Sequence, residues 1–225
     1  MKAAIFDMDG TILDSMCVWD GLGADYLRSV GVEPPDDLWE IMRTLSFQET
    51  ADYFIREFSL PHSAQEMMRI WEEYSAERYR SMAKLKPGAM EYLSLLDAAG
   101  VKICLATATD GEMAKEMLET HGVDRFFRFI ITEADVGACK TAPDIYFEAA
   151  RRLGEEPADC VVIEDSLHAI ETAKRAGFVV WGVYDESCAD RQDKIRALCD
   201  RMIEFEAEAA KWKNAAELEG REDTQ

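Results

Sequence analysis

The first fifteen residues contain the feature that most restricts the fold. Four apolar residues, Ala3 to Phe6, predict a short buried strand that ends at Asp7, and Asp9, Gly10 and Thr11 follow it. Carboxylates at the end of a buried strand destabilise the fold unless a cation or hydrogen bonds compensate them. Two such carboxylates suit Mg²⁺, which takes few protein carboxylates and completes its shell with water and substrate phosphate. An Asp can also be a nucleophile that is phosphorylated transiently.

The Asp-x-Asp-Gly string also allows a plainer interpretation. Taken alone, it is a common turn sequence in which both carboxylates are solvated. A calcium-binding EF-hand loop is excluded by spacing, because that loop needs Gly at its sixth position and Glu at its twelfth. The rest of the chain has to decide between a turn and a site.

The acidic composition argues against two classes of partner. The 225 residues include 45 acidic and 25 basic ones, which gives a net charge of −20, whereas nucleic acids and anionic membranes require a basic surface. A phosphate site in such a chain has to be locally positive, through a metal, a Lys or helix N-termini. We expect no nucleic-acid or membrane partner, and a monomer or a homodimer.

The six cysteines indicate neither a disulfide framework nor a zinc site. None form a Cys-x-x-Cys pair, and no His lies near them at zinc spacing. Cys104 and Cys160 fall inside apolar runs, where a reduced Cys behaves as a small buried hydrophobe. With no apolar signal segment and no run of membrane-spanning length, the sequence predicts a soluble, cytoplasmic protein.

Hydrophobic periodicity divides the chain into an α/β part and a helical insert. Residues 15–83 show helical spacing without a convincing strand, whereas helices and strands alternate after residue 84. Such alternation predicts a Rossmann-like parallel sheet with helices on both faces. The predicted core domain therefore comprises residues 1–14 and 84–225, and the inserted all-helical domain residues 15–83. We expect Arg191 to Leu218 to be mainly helical, and residues 219–225 to fray.

Polar side chains are predicted to gather at one edge of this sheet. In open α/β sheets, ligands bind at the carboxyl ends of the strands. Several polar residues follow predicted strands or lie in the loops after them: Asp7, Asp9, Thr107, Thr109, Lys140, Glu164 and Asp165. These residues come from four separate places in the chain, and four polar groups at one sheet edge indicate a site more strongly than any one of them alone.

Each of these groups also has a structural alternative. Thr107 and the backbone N–H groups of Ala108 and Thr109 can bind a phosphate, whereas Thr109 or Asp110 can cap the helix that follows. Lys140 suits a phosphate and can hold two carboxylates apart, although a loop Lys is usually solvated.

The adjacent carboxylates of Glu164 and Asp165 allow two interpretations as well. Adjacent carboxylates repel each other, and a divalent cation relieves that repulsion. The alternative is that Asp165 or Ser166 caps the next helix.

The ordered motifs resemble the haloacid dehalogenase superfamily, in its phosphatase and beta-phosphoglucomutase-like branch with a helical cap. Asp7-Met8-Asp9-Gly10-Thr11 is similar to the first motif of that superfamily, and Thr107 at its strand end to the second. Lys140 with Pro143-Asp144 is similar to the third motif, and Glu164-Asp165-Ser166 to the fourth. All four occur in the expected order, and residues 15–83 lie where this branch carries its cap.

The resemblance implies roles for these residues in phosphoryl transfer. Asp7 would attack the phosphoryl group and form an aspartyl phosphate, and Asp9 would protonate the leaving oxygen and then activate water. Mg²⁺ would be held by Asp7, the backbone carbonyl of Asp9, and Asp165, with Glu164 close by. The phosphate-binding residues implied are Thr107, Ala108 and Lys140, and charge neutralisation is their main task.

The expected substrate is a small phosphorylated metabolite, such as a sugar or polyol phosphate. A sugar-phosphate mutase is the main alternative, but Phe47 stands where the resemblance implies a cap Arg in mutases. Met16, Trp19 and Phe47 could shape an apolar substrate wall or pack the core of the cap. Two further alternatives are a phospho-acceptor signalling module, which would lack such a helical insert, and an inactive binding protein.

Overall fold

The chain folds as two compact units, Met1–Asp14 with Lys84–Gln225, and Ser15–Ala83. The computed structural model describes residues 1–19, 21–42, 45 and 47–211, apart from the side chains of Trp19, Phe47, Gln48 and Glu72. The strands are β1 (Ala3–Phe6), β2 (Leu13–Asp14), β3 (Lys84–Leu85), β4 (Lys102–Thr107), β5 (Ile130–Thr132), β6 (Cys160–Glu164), β7 (Val179–Val183) and β8 (Arg201–Ile203). The helices are α1 (Met16–Trp19), α2 (Leu22–Ser29), α3 (Leu38–Met42), α4 (Phe47–Phe58), α5 (Ala64–Met82), α6 (Ala89–Ala98), α7 (Gly111–Thr120), α8 (Glu133–Val136), α9 (Asp144–Leu153), α10 (Leu167–Arg175) and α11 (Gln192–Leu198).

A six-stranded parallel sheet forms the centre of the first unit. The strand order is β5-β4-β1-β6-β7-β8, so β1 lies between β4 and β6. Ile5 of β1 is opposite Cys104 on one side and Val162 on the other. All four residues of β1 are fully buried, because helices cover both faces of a parallel sheet. The continuous apolar run at the start of the chain is therefore the central strand of the sheet.

Helices cover both faces of the sheet. On one face, Ile5 and Cys104 belong to a core cluster with Tyr146 of α9 and Ile170 of α10. On the other face, the ring of Phe6 packs against Tyr92 of α6, with ring centroids 6.5 Å apart. The predicted α/β architecture, with a parallel sheet between helical layers, is confirmed.

The second unit is helical in all the secondary structure that its described residues show, α1 to α5. Its longest helix, α5, begins with a capping box. The Ser63 hydroxyl accepts a hydrogen bond from the Glu66 N–H, and the Glu66 carboxylate accepts one from the Ser63 N–H. The unit has its own aromatic core, in which Trp71 lies 4.8 Å from Phe54 between ring centroids. Its function as a cap remains a prediction.

The C-terminal region differs from the helical prediction over Arg191 to Leu218. Only part of it is helical, because Arg201–Ile203 forms the edge strand β8, with Met202 opposite Gly182 of β7. Three residues are too few to show the period-two pattern of a strand, and pairing with β7 fixes their conformation. Residues 212–218 of the predicted helix, and the expected fraying of 219–225, lie outside the described residues.

Two expectations from composition can be compared with this structure. Cys104 and Cys160 are buried, free cysteines, as predicted. Within the described part of the chain, no helix combines the length and the apolar content that crossing a bilayer would require.

Candidate active site

Polar residues follow neighbouring strands at the carboxyl edge of the parallel sheet. Asp7 follows β1, Thr107 is the last residue of β4, and Glu164 is the last residue of β6. Asp165 comes next after Glu164, and Lys140 lies in the segment between α8 and α9. Parallel strands point the same way, so residues at their carboxyl ends share one edge of the sheet.

The Lys140 ammonium connects the ends of two strands. It is buried and donates hydrogen bonds to the carboxylates of Asp7 and Glu164, the latter at 2.7 Å from Nζ to Oε1. The backbone N–H of Lys140 donates to Glu133 Oε1 at 2.7 Å, which holds the loop against α8. The interpretation of Lys140 as a solvated loop residue is therefore wrong, since only 4% of its surface is exposed.

Three carboxylates form a group that could hold a cation. Asp7, Glu164 and Asp165 each offer an oxygen atom, and these oxygens all lie within 4.8 Å of one another. Their exposed fractions are 8%, 1% and 3%. Carboxylate oxygens are hard donors that suit Mg²⁺ and Ca²⁺, so the donor set fits a divalent cation. Asp9 is outside this group, and the contribution expected of it is a backbone carbonyl.

The pKa values of the cluster are displaced because one ammonium faces several carboxylates. Burial raises the pKa of Asp7 from 3.8 to about 7; Glu164 adds to the shift, and Lys140 opposes it. Burial, Glu164 and Asp7 raise the pKa of Asp165 well above its ordinary value. Burial by itself would lower the pKa of Lys140, but Asp7 and Glu164 raise it overall. Without a cation, the cluster therefore retains protons at a pH where exposed carboxyls would have lost them.

Hydrogen bonds fix the two carboxylates after β6. Glu164 Oε2 accepts from the backbone N–H groups of Asp165 and Ser166, at 3.0 and 3.1 Å. The Thr11 hydroxyl donates to Asp165 Oδ1 at 2.8 Å. Ser166 occupies the N-cap position of α10, but its side chain makes no capping hydrogen bond. The Asp165 carboxyl group thus faces the cluster and the loop after β1.

The segment after β4 connects the second Asp to the sheet edge. The Thr107 hydroxyl oxygen accepts from the Thr109 N–H at 3.0 Å, and the Thr109 hydroxyl donates to Asp9 Oδ2 at 2.6 Å. Asp110 caps α7 by accepting from two backbone N–H groups of that helix. Because Asp110 takes the capping task, the Thr109 side chain is available to orient Asp9. Ala108, between the two threonines, is exposed.

Two contacts in the site had not been predicted. Thr11 was recognised only as part of the first motif, and it contacts Asp165, 154 positions later in the chain. Thr109 was considered as a helix cap or a backbone donor, and its hydroxyl contacts Asp9, 100 positions away. Sequence spacing carries no signal for either pair, because sheet topology brings the partners together.

The predicted substrate residues of the insert lie in the second unit. Met16 is partly buried in α1. The side chains of Trp19 and Phe47 lie outside the described part of the structure. The assignment of these three residues to substrate recognition stays a prediction.

A buried acidic cluster with one bridging lysine, at the carboxyl edge of a parallel sheet, is typical of an α/β enzyme site. The family model for haloacid dehalogenase-like hydrolases matches residues 1–177. The chain therefore belongs to the haloacid dehalogenase-like hydrolase family, and the predicted resemblance to that superfamily is confirmed.

Individual relatives span most of this chain. YhcW of Bacillus subtilis (strain 168), whose name proposes a phosphatase, is 32% identical over 178 residues, 79% of this chain and 80% of YhcW. A Thermotoga maritima protein named phosphorylated carbohydrates phosphatase is 27% identical over 184 residues, 81% of this chain and 85% of that protein. The crystal structure of a T. maritima protein proposed as a beta-phosphoglucomutase has a TM-score of 0.79 at 25% identity, covering 95% of this chain and 99% of the other.

Proposed function

We propose that this protein is a phosphatase that hydrolyses a small phosphorylated metabolite, a sugar or sugar alcohol phosphate, with Mg²⁺ as its cofactor. The observation that carries the proposal is the buried group of Asp7, Glu164 and Asp165 with Lys140 bridging two of its members. The names of two relatives support the reaction and the substrate class, since one is a proposed phosphatase and the other a phosphorylated carbohydrates phosphatase.

The proposed reaction has two phosphoryl-transfer steps. In the first, an Asp7 carboxylate oxygen forms a bond to phosphorus, the ester P–O bond breaks, and the leaving oxygen takes a proton from Asp9. In the second, Asp9 takes a proton from water, the water oxygen bonds to phosphorus, and the bond between Asp7 and phosphorus breaks. Inorganic phosphate leaves, and both carboxyl groups return to their starting states. The contact between Thr109 and Asp9 supports this role, because it orients the proton donor.

Positive charge is needed where the phosphoryl group is transferred. Lys140 supplies an ammonium beside Asp7, while Thr107 and the backbone at Ala108 supply hydrogen-bond donors for phosphate oxygens. Asp7, Asp165, the backbone carbonyl of Asp9 and the nearby Glu164 would hold Mg²⁺, which supplies further charge neutralisation when bound. The ammonium of Lys140 and a divalent cation would together offset the three carboxylates of the buried group, so the site would not repel a phosphate as the chain of net charge −20 does elsewhere.

We assign substrate selection to residues 15–83 as a helical cap domain, and the chemistry to residues 1–14 and 84–225. A cap that closes over a bound substrate excludes water and limits substrate size. Met16, Trp19 and Phe47 are the cap residues proposed to contact the substrate.

Phosphate release from a panel of phosphorylated sugars, sugar alcohols, nucleotides and glycolate tests the proposal. We expect one compound class to be hydrolysed with Mg²⁺, no release in chelator, and strongly reduced release by Asp9→Asn. If glucose 1-phosphate instead becomes glucose 6-phosphate after addition of a bisphosphate primer, the protein is a mutase. A long-lived phosphorylated protein after treatment with acetyl phosphate would indicate a signalling module. If the protein shows no phosphate release, no mutase reaction and no phosphorylation, it is a binding protein.

Gly10→Ala is expected to lower the affinity for Mg²⁺ about tenfold, the lower end of the range for changes to the groups that orient metal ligands. Gly10 has φ +79°, and a Cβ atom there would lie 2.6 Å from Asp165 Oδ2. The added methyl group therefore displaces a proposed metal ligand as well as straining the backbone. Calorimetric titration of the purified protein with Mg²⁺ measures this loss.

Gly100→Ala is the matched control for this substitution. Gly100 has a similar φ of +75°, but a Cβ atom there would meet nothing within 4 Å. Both variants are expected to lose about 1 kcal/mol of stability through backbone strain. Only Gly10→Ala should lose Mg²⁺ affinity, and equal affinities in the two variants would remove Asp165 from the metal site.

A further inference from the structure

The hydroxyl of Tyr146 is a buried polar group without a hydrogen-bond partner among the described residues. Tyr146 lies in α9 with 1% of its surface exposed, and its ring packs 6.0 Å from that of Phe178 between centroids. An unpaired buried hydroxyl costs about 1–3 kcal/mol, a cost that Phe would avoid at the same position. Packing alone therefore does not explain why this position carries Tyr rather than Phe.

Tyr146 lies in the helix that packs against the strands leading to the candidate active site. Helix α9 begins four positions after Lys140 and packs against β1 and β4, which lead to Asp7 and Thr107. Burial, followed by the charge of Glu164, raises the pKa of the Tyr146 phenol well above its ordinary value, and Lys140 and Asp7 also act on it. The phenol is therefore neutral, and its hydroxyl can both donate and accept a hydrogen bond.

The Lys140 ammonium has to change partners when the site is loaded. It has three N–H donors, and in the described structure two of them are used by Asp7 and Glu164. In the proposed reaction Asp7 turns to the cation and to the phosphoryl group, so Lys140 exchanges the Asp7 carboxylate for phosphoryl oxygens and keeps Glu164 as its protein acceptor. A buried ammonium without enough acceptors is destabilised and loses its fixed orientation.

We propose that Tyr146 is a positioning residue whose hydroxyl accepts a hydrogen bond from Lys140 when Asp7 is engaged by cation and phosphate. The inference rests on the proposed function, because it assigns Tyr146 to the loaded state of that site. In the empty protein the Tyr146 hydroxyl makes no hydrogen bond to the described residues, which lowers the stability of the fold. In the loaded protein it keeps the Lys140 ammonium directed at the phosphoryl oxygens.

Tyr92 provides a matched control within the same unit. Its hydroxyl is also buried and without a partner among the residues that the structure describes, and 1% of the residue is exposed. Burial raises the pKa of Tyr92, and the charges that act on it are Glu208 and Arg201 rather than those of the candidate site. Tyr92→Phe therefore removes the same kind of group from a helix on the other face of the sheet, where it packs against Phe6.

The test compares wild type, Tyr146→Phe and Tyr92→Phe by thermal unfolding, first in chelator and then with Mg²⁺ and orthovanadate as a phosphoryl mimic. Without ligands, both variants should be at least as stable as wild type. When Mg²⁺ and orthovanadate are added, the Tm of wild type and of Tyr92→Phe should rise by the same amount. The Tm of Tyr146→Phe should rise by less. The expected loss of ligand affinity is about tenfold, the order for one hydrogen bond to a charged group.

The outcomes separate this inference from the proposed function. If wild type gains no stability from Mg²⁺ and orthovanadate, the proposed phosphatase site fails, and the role of Tyr146 fails with it. If wild type and both variants gain equally, the site stands but Tyr146 does not position Lys140. If Tyr146→Phe is less stable than wild type in chelator, the hydroxyl is already used in the empty protein and the inference is overturned.

Discussion

Asp7→Asn is expected to abolish phosphate release and, without a cation, to make the protein more stable. The substitution removes the proposed nucleophile, and loss of a nucleophile that acts together with other catalytic groups typically costs about 10⁴-fold or more in kcat. The stability gain arises because burial makes the ionised form of Asp7 unfavourable in the folded protein, whereas in the unfolded chain this carboxyl group ionises freely. The Asn amide has the same shape but no charge, so its burial avoids this cost, and its carbonyl oxygen can still accept a hydrogen bond from Lys140.

The pH dependence of this gain follows from the raised pKa of Asp7. The pKa is about 7 in the folded protein, against an ordinary value of 3.8 that represents the unfolded chain. The folded state therefore binds the proton more tightly, and this stabilisation is fully present below about pH 4 and lost as pH rises through 7. Asn does not titrate, so the advantage of the variant over wild type should grow from pH 5 to pH 8.

Thermal unfolding in chelator at several pH values measures the effect. At pH 8 we expect the Tm of Asp7→Asn to exceed that of wild type by at least about 3 °C, the shift that 1 kcal/mol produces in a domain of this size. Asp97→Asn, an exposed position in α6, is the control for the change in net charge and should leave Tm unchanged. An Asp7→Asn protein that is less stable than wild type at pH 8 would contradict the description of Asp7 as a buried carboxylate whose charge destabilises the folded protein.

Lys140→Met is expected to lower both stability and activity. Removing one partner of a buried ion pair typically costs about 3–5 kcal/mol, because the remaining charges lose their compensation. Here Asp7 and Glu164 would both be left without the ammonium. For a domain of this size the loss corresponds to a fall in Tm of about 10 °C at pH 8 in chelator. Loss of a cationic group that stabilises phosphoryl transfer should lower kcat about 10³-fold.

Lys115→Met is the control for removing a lysine. Lys115 is exposed in α7 and reaches Glu119 only at 3.9 Å, so its loss should change Tm by less than about 2 °C. The two substitutions in the buried network thus have opposite expected effects on the cation-free protein, a gain for Asp7→Asn and a loss for Lys140→Met. A gain in both variants would show that Lys140 does not compensate Asp7 and Glu164, and a loss in both would contradict the expectation that the buried Asp7 carboxylate destabilises the cation-free protein.

The strand framework of the site could be predicted from the sequence because its signals are local. Ala3–Phe6 is a continuous apolar run, and the polar residues after it interrupt that run sharply. The same pattern recurs at Thr107 and at Glu164. Since parallel strands end at one edge, strand ends found separately in the sequence could be assigned to one site.

The side-chain partners inside the site could not be predicted in the same way. The contact of Thr11 with Asp165 depends on which strand lies beside β1, and on a turn at Gly10 that lets the carboxylate approach. The Tyr146 hydroxyl gave no signal, because a Tyr in an amphipathic helix is ordinarily part of the core. The edge strand β8 was missed for a related reason, since its conformation comes from pairing with β7.

The central claim is that Asp7 is phosphorylated during turnover. The most direct measurement is acid quenching of the reacting enzyme, followed by proteolysis and mass spectrometry of the peptide that contains Asp7. Using the best substrate of the phosphate-release panel with Mg²⁺, we predict one phosphoryl group on that peptide, released by hydroxylamine. Any phosphoryl group that forms on Asp7 in Asp9→Asn should be lost more slowly than in wild type, because Asp9 activates the water that removes it. Turnover of the substrate by Asp7→Asn, or by wild type without a phosphorylated Asp7 peptide at any quench time, would contradict the account.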